Sequence, residues 1–293
     1  MNHDLLKENC CGDICRVEFK NNAQIKTLCS LEKPFILRDS AFKWQAFNKW
    51  NLEYLNSKLL QSHITHAHLD GAKVILYENT KTQKSDFIKN IKIFQRSGVD
   101  SMPKERIYLA SSRTDVNKRE KLLQKHELLE DINIPYFIPY NKLSEINLSI
   151  DNGGYRSSLH FDFEENTLTV LRGKKTLVLF PPCQTSLLYQ DNTKKNKTLR
   201  SLVDIFSVNR RKYHLVDKAI YYQTTLSEGE SLYIPAGWWY AEESSEDLNV
   251  ALNIWWFIKS KRLLEFGNPA SLYLWQTNFK WLSILKSEFY FYN

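Results

Sequence analysis

His160 and Asp162 stand two positions apart, and that spacing is the clearest chemistry in this chain. Alternate side chains of an extended strand share a face, so an imidazole and a carboxylate placed this way can hold one metal ion together. A third donor from a distant strand would complete the facial set that leaves three positions open on a non-haem Fe(II). A bare His-x-Asp pair also arises by chance, so its neighbours decide what it weighs. A second cluster, His63-Ile64-Thr65-His66-Ala67-His68, would put His66 and His68 on one face of a strand. With Asp70 as its one nearby carboxylate, it reads as a surface strand. Cys10, Cys11 and Cys15 lack the second pair that a soft-metal site needs and read as thiols of a flexible arm.

Strands must hold such a site. Short runs rich in β-branched, aromatic and alternating residues occur at 74–77, 107–109, 146–150, 157–162, 167–171, 176–180, 219–224, 231–234 and 249–256. Many short strands separated by turn residues predict a mainly β fold with flanking helices, a double-sheet jelly roll. Apolar residues at helical spacing predict helices over 51–61, 85–96 and 117–129, and again after Lys259, where Gly267-Asn268-Pro269 marks a stop and a new start. The expected organisation is an N-terminal arm over 1–30, one β domain over 31–259 and a helical segment over 260–293. There are no internal repeats or low-complexity tracts.

Between residues 33 and 257 the order of features resembles the JmjC and cupin-like oxygenases that use Fe(II) and 2-oxoglutarate, closest in pattern to hydroxylases of the factor-inhibiting-HIF type. The resemblance is carried by Lys33-Pro34-Phe35-Ile36-Leu37-Arg38, Lys49-Trp50-Asn51-Leu52-Glu53-Tyr54-Leu55, Glu105-Arg106-Ile107-Tyr108-Leu109 and the His160-Phe161-Asp162 strand. It continues through Arg172-Gly173-Lys174-Lys175-Thr176-Leu177-Val178-Leu179-Phe180-Pro181-Pro182, the block from Ile234 to Trp239, and Leu252-Asn253-Ile254-Trp255. It implies a double-stranded β-helix of the cupin and JmjC kind. It also implies His160 and Asp162 as the first two iron ligands, a neutral imidazole and a hard carboxylate that suit Fe(II). By the same resemblance Lys175 receives the distal carboxylate of 2-oxoglutarate, since a buried ammonium needs an anion. Tyr108 and Ser157 match hydroxyl donors to that carboxylate, Asn166 and Asn253 amides lining the cofactor pocket, and Trp255 an aromatic wall beside it. Taken singly, each of these six has a plainer reading: a solvated turn cation for Lys175, core aromatics for Tyr108 and Trp255, local backbone partners for the rest.

The pattern departs at Tyr240, 80 positions after His160, where the family carries its distal histidine ligand. Three readings are open. Tyr240 binds iron as a phenolate, its acidity raised by the metal; or iron is held by His160, Asp162 and water, more weakly; or the site is metal-free and the fold serves recognition. Glu242 and Glu243 could offer an inward carboxylate, although in the run Glu-Glu-Ser-Ser-Glu-Asp they read as solvated loop acids.

The 293 residues include 43% hydrophobic and 13% aromatic side chains, enough for a substantial core. No apolar run reaches the length of about 18 to 20 residues that a membrane helix needs, and the first residues lack a signal pattern, so no membrane association is expected. Five cysteines, an odd count, argue against a disulfide framework; a cytoplasmic location is the default, with the nucleus also open. The charge of +7 hints at an acidic partner. Basic residues gather in the insertion over 194–212, with Lys194, Lys195, Lys197, Arg200, Arg210, Arg211 and Lys212, which would clamp RNA or an acidic peptide or simply be solvated. The expected substrate is a protein or peptide side chain and the expected outcome hydroxylation, with a catalytically inactive binding module as the alternative. The C-terminal helices would form a homodimer or pack back on their own sheet.

Overall fold

The computed structural model describes residues 9–59, 65–70, 73–78, 105–110, 128–151, 153–191, 199–245 and 247–257. Within them the first half of the chain runs β1 (Arg16–Val17), α1 (Asn22–Ser30), β2 (Phe35–Leu37), α2 (Gln45–Lys49), α3 (Leu52–Leu59), β3 (Thr65–Asp70), β4 (Lys73–Glu78), β5 (Glu105–Ala110) and β6 (Leu143–Asp151). The second half is β7 (His160–Phe161), β8 (Glu165–Arg172), β9 (Lys175–Phe180), β10 (Tyr222–Leu226), β11 (Ser231–Ile234), β12 (Trp239–Ser244) and β13 (Asn249–Trp256). Among the described residues nine strands form one sheet, ordered β1-β2-β11-β8-β13-β6-β5-β3-β4, and four form another, ordered β10-β9-β12-β7. All pairings except β1 with β2 are antiparallel. Two such sheets packed over an apolar layer make the jelly roll that the sequence predicts.

Period-two alternation places the site. On β9, Leu177 and Leu179 join Leu168, Val170, Leu232 and Ile234 in the core between the sheets, while Val178 and Phe180 join Phe161 and Trp239 in a second core on the outer side of the small sheet. Lys175 is in phase with Leu177 and Leu179, so it starts β9 on the inward face. On β12 Tyr240 belongs to the inner core and Trp239 and Ala241 to the outer one, which sets Glu242 and Ser244 in phase with Tyr240. The phase of β9 is fixed by its entry turn. Gly173 has φ +76°, and a Cβ there would collide with Asn249 Oδ1 and lie 2.7 Å from the Leu248 carbonyl, so only glycine fits this two-residue turn, which carries the chain from the large sheet to the small one.

A third core lies on the other face of the large sheet, where Trp50, Leu55, Ile25 and Leu128 pack on Leu148, Ile150, Leu252 and Ile254. Helix α1 starts at Asn21, whose side chain accepts from the Gln24 N–H and satisfies one of the donors a helix leaves open. Residues 9–30 are thus built into the fold, with β1 paired to β2 and Ile14 and Ile25 buried.

The structure differs from expectation at two strands near the site. The run 157–162 is regular only at His160–Phe161, because Tyr155, Arg156 and Ser157 follow β12 through irregular pairings instead. Strand β12 itself was not foreseen, since its two glutamates make the run look like a loop. The helices expected over 85–96 and after Lys259 lie outside the described residues, as does 117–129 apart from its last two positions, which open a 3-10 turn. No helix among the described residues is long and apolar enough to cross a membrane. The five cysteines are free thiols.

Candidate active site

His160 on β7 faces Tyr240 on β12 in register, their ring centroids 4.3 Å apart. His160 Nδ1 lies 2.8 Å from the Ser158 carbonyl oxygen. A carbonyl only accepts, so Nδ1 carries the proton and Nε2 keeps its lone pair, the tautomer of a metal-ligating histidine. Burial holds the imidazole below its usual range, with Arg200 adding to the effect against the pull of Asp162 and Glu242. The neutral form that a metal takes is therefore the resting form.

Asp162 Oδ2 accepts from the Tyr240 hydroxyl at 2.6 Å and from the Trp255 indole N–H at 3.0 Å. Asn166 Nδ2 donates to the Tyr240 oxygen at 3.3 Å, and Asn253 Nδ2 to Asn166 Oδ1 at 3.2 Å. Five residues chosen from sequence thus form one hydrogen-bonded chain: Trp255, Asp162, Tyr240, Asn166 and Asn253. Trp255 orients the carboxylate, the kind of support that fixes a metal ligand's direction. Burial, then the charge of Asp162, raises the Tyr240 pKa well above the usual phenol range. Tyr240 is accordingly a neutral phenol that keeps its proton and donates it in a hydrogen bond to Asp162.

The donor set fits a metal ion in kind. An imidazole nitrogen with a free lone pair, a carboxylate and a phenol oxygen meet at one edge of the inner core. Neighbouring oxygens on one metal stand about 3 Å apart when the bonds are near 2.1 Å, close to the 2.6 Å between Asp162 and Tyr240. Binding through all three requires the shared proton to leave. Among the described residues no three His, Cys, Asp or Glu converge, and the oxygen that stands beside His160 and Asp162 is that of Tyr240. Among the described residues Cys10, Cys11 and Cys15 join no such group either. His66 and His68 do lie on a strand, β3, while their side chains fall outside the described residues.

Lys175 is wholly buried, which removes its reading as a solvated turn cation. Its ammonium donates to Ser244 Oγ at 2.9 Å and to Asp151 Oδ2 at 3.3 Å, with Glu242 Oε1 at 3.9 Å; Ser244 Oγ in turn donates to Asp151 Oδ2 at 2.8 Å. The ammonium holds a carboxylate with a hydroxyl beside it, but the hydroxyl is that of Ser244, where the expectation named Ser157 and Tyr108. The carboxylate is the chain's own. Ser157 is near, its Oγ accepting from the Glu242 N–H at 2.9 Å. Tyr108 sits on β5 opposite Ser149, and its side chain lies outside the described residues.

Glu242 and Glu243 correct the sequence reading. Both are buried on β12, because each points at a cation: Glu242 inward toward Lys175, Glu243 outward to Arg156 Nε at 2.5 Å. Sequence reasoning passed over Asp151, Ser244 and Ser158, and read Arg200 only as part of the basic insertion. Asp151 was detectable in principle. It ends an apolar strand, and a lysine buried one sheet away needs an anion. Arg200 bridges backbone to His160 and donates to Ser158 Oγ, so part of the basic insertion borders the site.

The cupin-like domain family matches this chain over residues 21–262. Lysine-specific demethylase JMJ31 of Arabidopsis thaliana is 30% identical over 252 residues, which is 76% of this chain and 46% of that protein. tRNA wybutosine-synthesizing protein 5 of Gallus gallus is 28% identical over 225 residues, 71% of this chain and 65% of that protein. Lysine-specific demethylase 8 of Xenopus tropicalis is 25% identical over 234 residues, 77% of this chain and 48% of that protein. The chain spans about half the length of these demethylases. With its jelly roll, its His160-x-Asp162 pair and a family match covering most of its length, the chain belongs to the JmjC and cupin-like family of 2-oxoglutarate oxygenases.

Proposed function

We propose that this chain is an Fe(II)- and 2-oxoglutarate-dependent oxygenase that hydroxylates a protein or peptide side chain, with its metal held by His160, Asp162 and Tyr240. The observation that carries the reading is the Tyr240 hydroxyl, aimed at Asp162 Oδ2 and beside the His160 ring. A tyrosine serving only as a wall would have no reason to present its oxygen there. Iron and 2-oxoglutarate would supply the activation of O2, with 2-oxoglutarate converted to succinate and CO2. The rest falls to the chain. Ser158 fixes the His160 tautomer through its carbonyl, and Trp255 fixes Asp162 through its indole N–H. Asn166 and Asn253 hold the Tyr240 oxygen in place once its proton has left. Lys175 offers the charge for the distal carboxylate of 2-oxoglutarate. The inner core of Leu177, Leu179 and Leu232 excludes water from that side.

A protein or peptide substrate is the choice that the family resemblance suggests. Of the described basic residues of the insertion, Arg210 pairs with Asp217 and Lys212 lies over the Tyr213 ring, while Arg211 is exposed. Relatives bearing both kinds of name, demethylase and tRNA-modifying protein, keep the substrate class open to test. A second reading, a binding module without turnover, draws support from the pairing of Lys175 with Asp151. Protein loaded with Fe(II) should convert 2-oxoglutarate to succinate in the presence of O2, and Asp162→Ala should lose both the metal and the conversion. Wild-type protein that retains no iron after loading would sink the oxygenase reading. Protein that holds iron but forms no succinate with peptide or RNA present would favour the module.

A further inference from the structure

We propose that Asp151 is a built-in competitor of 2-oxoglutarate: it occupies, on Lys175, the position of the cofactor's distal carboxylate, so that the cofactor binds only by displacing it. The inference rests on the cofactor role given to Lys175 above. Asp151 is the last residue of β6 in the large sheet and Lys175 the first of β9 in the small one, so their contact spans the inner layer at one end. Lys175, Asp151 and Ser244 close a ring of three short contacts, 3.3, 2.9 and 2.8 Å, with the lysine and the aspartate wholly buried. This is the set of partners, one ammonium and one hydroxyl, that a ligand carboxylate would need. Glu242 adds a second carboxylate at 3.9 Å. A ligand carboxylate arriving here would be the third acid around one cation, in a place without water to screen it. It gains the ammonium only if Asp151 turns away.

Glu242 does not compete in the same way. It lies on β12 between Tyr240 and Ser244, farther from the ammonium than Asp151, and its backbone N–H and carbonyl are both bonded to Ser157. Asp151 is better placed to move. Beyond it the chain turns through Gly153 and Gly154, both at positive φ, and Asp151 Oδ1 caps that turn by accepting from the Gly153 N–H at 3.2 Å. A small rotation of this carboxylate releases Lys175 without unpairing a strand.

Asp151→Asn tests the proposal, since it removes the charge yet keeps an oxygen for the Gly153 N–H. Binding is measured by calorimetry on full-length protein loaded with Mn(II), which holds the site without turnover. The ligands are 2-oxoglutarate and 2-oxobutyrate, a 2-oxo acid that lacks the distal carboxylate. The expected result is at least tenfold tighter binding of 2-oxoglutarate by the variant, with 2-oxobutyrate bound equally by both proteins. Adding Lys175→Met to the variant should abolish the gain. If Asp151→Asn folds poorly because its lysine has lost the Asp151 charge, 2-oxoglutarate should raise its Tm by more than it raises the wild type's. Equal affinity of both proteins for 2-oxoglutarate, or an equal gain for 2-oxobutyrate, would overturn the competition and leave the oxygenase assignment standing. Failure of either protein to bind 2-oxoglutarate while both hold Mn(II) would overturn the inference and the cofactor role of Lys175 together.

Discussion

Tyr240 is the residue on which the chemistry turns. Its phenol proton sits on a 2.6 Å bond to Asp162, and burial keeps it there. Two substitutions separate a ligand from an orienting donor. Tyr240→Phe removes only the oxygen, so it should lower metal affinity by at least tenfold and erase the visible phenolate-to-iron band expected of the ferric protein. Tyr240→His should raise affinity for Fe(II), because it restores two imidazoles and one carboxylate. Titration with Fe(II), and absorbance after oxidation, read both. A Phe variant that binds as tightly as wild type would make Tyr240 a positioning residue for Asp162 alone. At this scale the grouping was legible from two sources: spacing pairs His160 with Asp162, and the resemblance adds Asn166, Asn253 and Trp255, which share one hydrogen-bonded chain with Asp162. The identity of Lys175's partner was not. A buried ammonium demands an anion, but the demand does not say whether a cofactor or an aspartate one sheet away meets it.

The elements were legible where aliphatic and β-branched residues dominate a strand and illegible where a strand buries charged residues. Strands β8, β9, β11 and β13 fall close to their expected bounds, since Val, Leu, Ile and Thr dominate them. Strand β12 reads Trp-Tyr-Ala-Glu-Glu-Ser, and every residue of it is buried. Its acids look like a solvated turn because the cations that bury them, Lys175 and Arg156, are remote in sequence. Strand β8 holds a related case in Glu165. It is buried against Tyr233, and burial pushes its carboxyl up to about 7 against the opposing bonds from Tyr233 and the Ala236 backbone. The folded protein therefore holds a proton that the unfolded chain gives up at lower pH. Stability from this group is fully present below about pH 4.5 and falls as pH rises to about 7, by about 3 kcal/mol. Urea denaturation at pH 5 and pH 8 should show that loss in wild type, and Glu165→Gln should reduce it by about that amount. An unchanged difference between the two pH values in the Gln variant would assign the loss to other groups.

At the scale of the whole molecule three apolar layers lie over, between and under two sheets, and the outermost depends on a charged staple. Helices α2 and α3 cover the large sheet through Trp50, Leu55 and Ala46, yet the two helices are short and α2 has no side-chain cap. Short helices have little stability of their own and need tertiary anchoring. Asp131 supplies it from the 3-10 turn over Leu128–Asp131. Its carboxylate accepts from Lys49 Nζ at 2.9 Å, the Trp50 indole N–H at 2.9 Å and the Tyr54 hydroxyl at 2.7 Å, so one acid binds both helices and the segment between them. Burial alone would raise its pKa, but those three donors outweigh burial and hold it below the usual carboxylate value. The sign follows from that direction: the contribution is complete above about pH 4 and is lost as pH falls through the lowered folded value. Asp131→Ala leaves a buried indole N–H and a phenol without their acceptor. It should cost about 3 kcal/mol, a figure that gives little weight to the half-exposed Lys49. Asp131→Asn should cost less, because its amide oxygen still accepts from Trp50 or Tyr54. Both losses should appear in chemical denaturation at pH 7 and shrink progressively as pH falls below about 4, because the stability that the wild-type charge contributes is lost over that range. Since His160 and Asp162 belong to other elements, metal binding by folded Asp131→Asn protein should match wild type; a loss of metal affinity there would show that the outer layer also shapes the site.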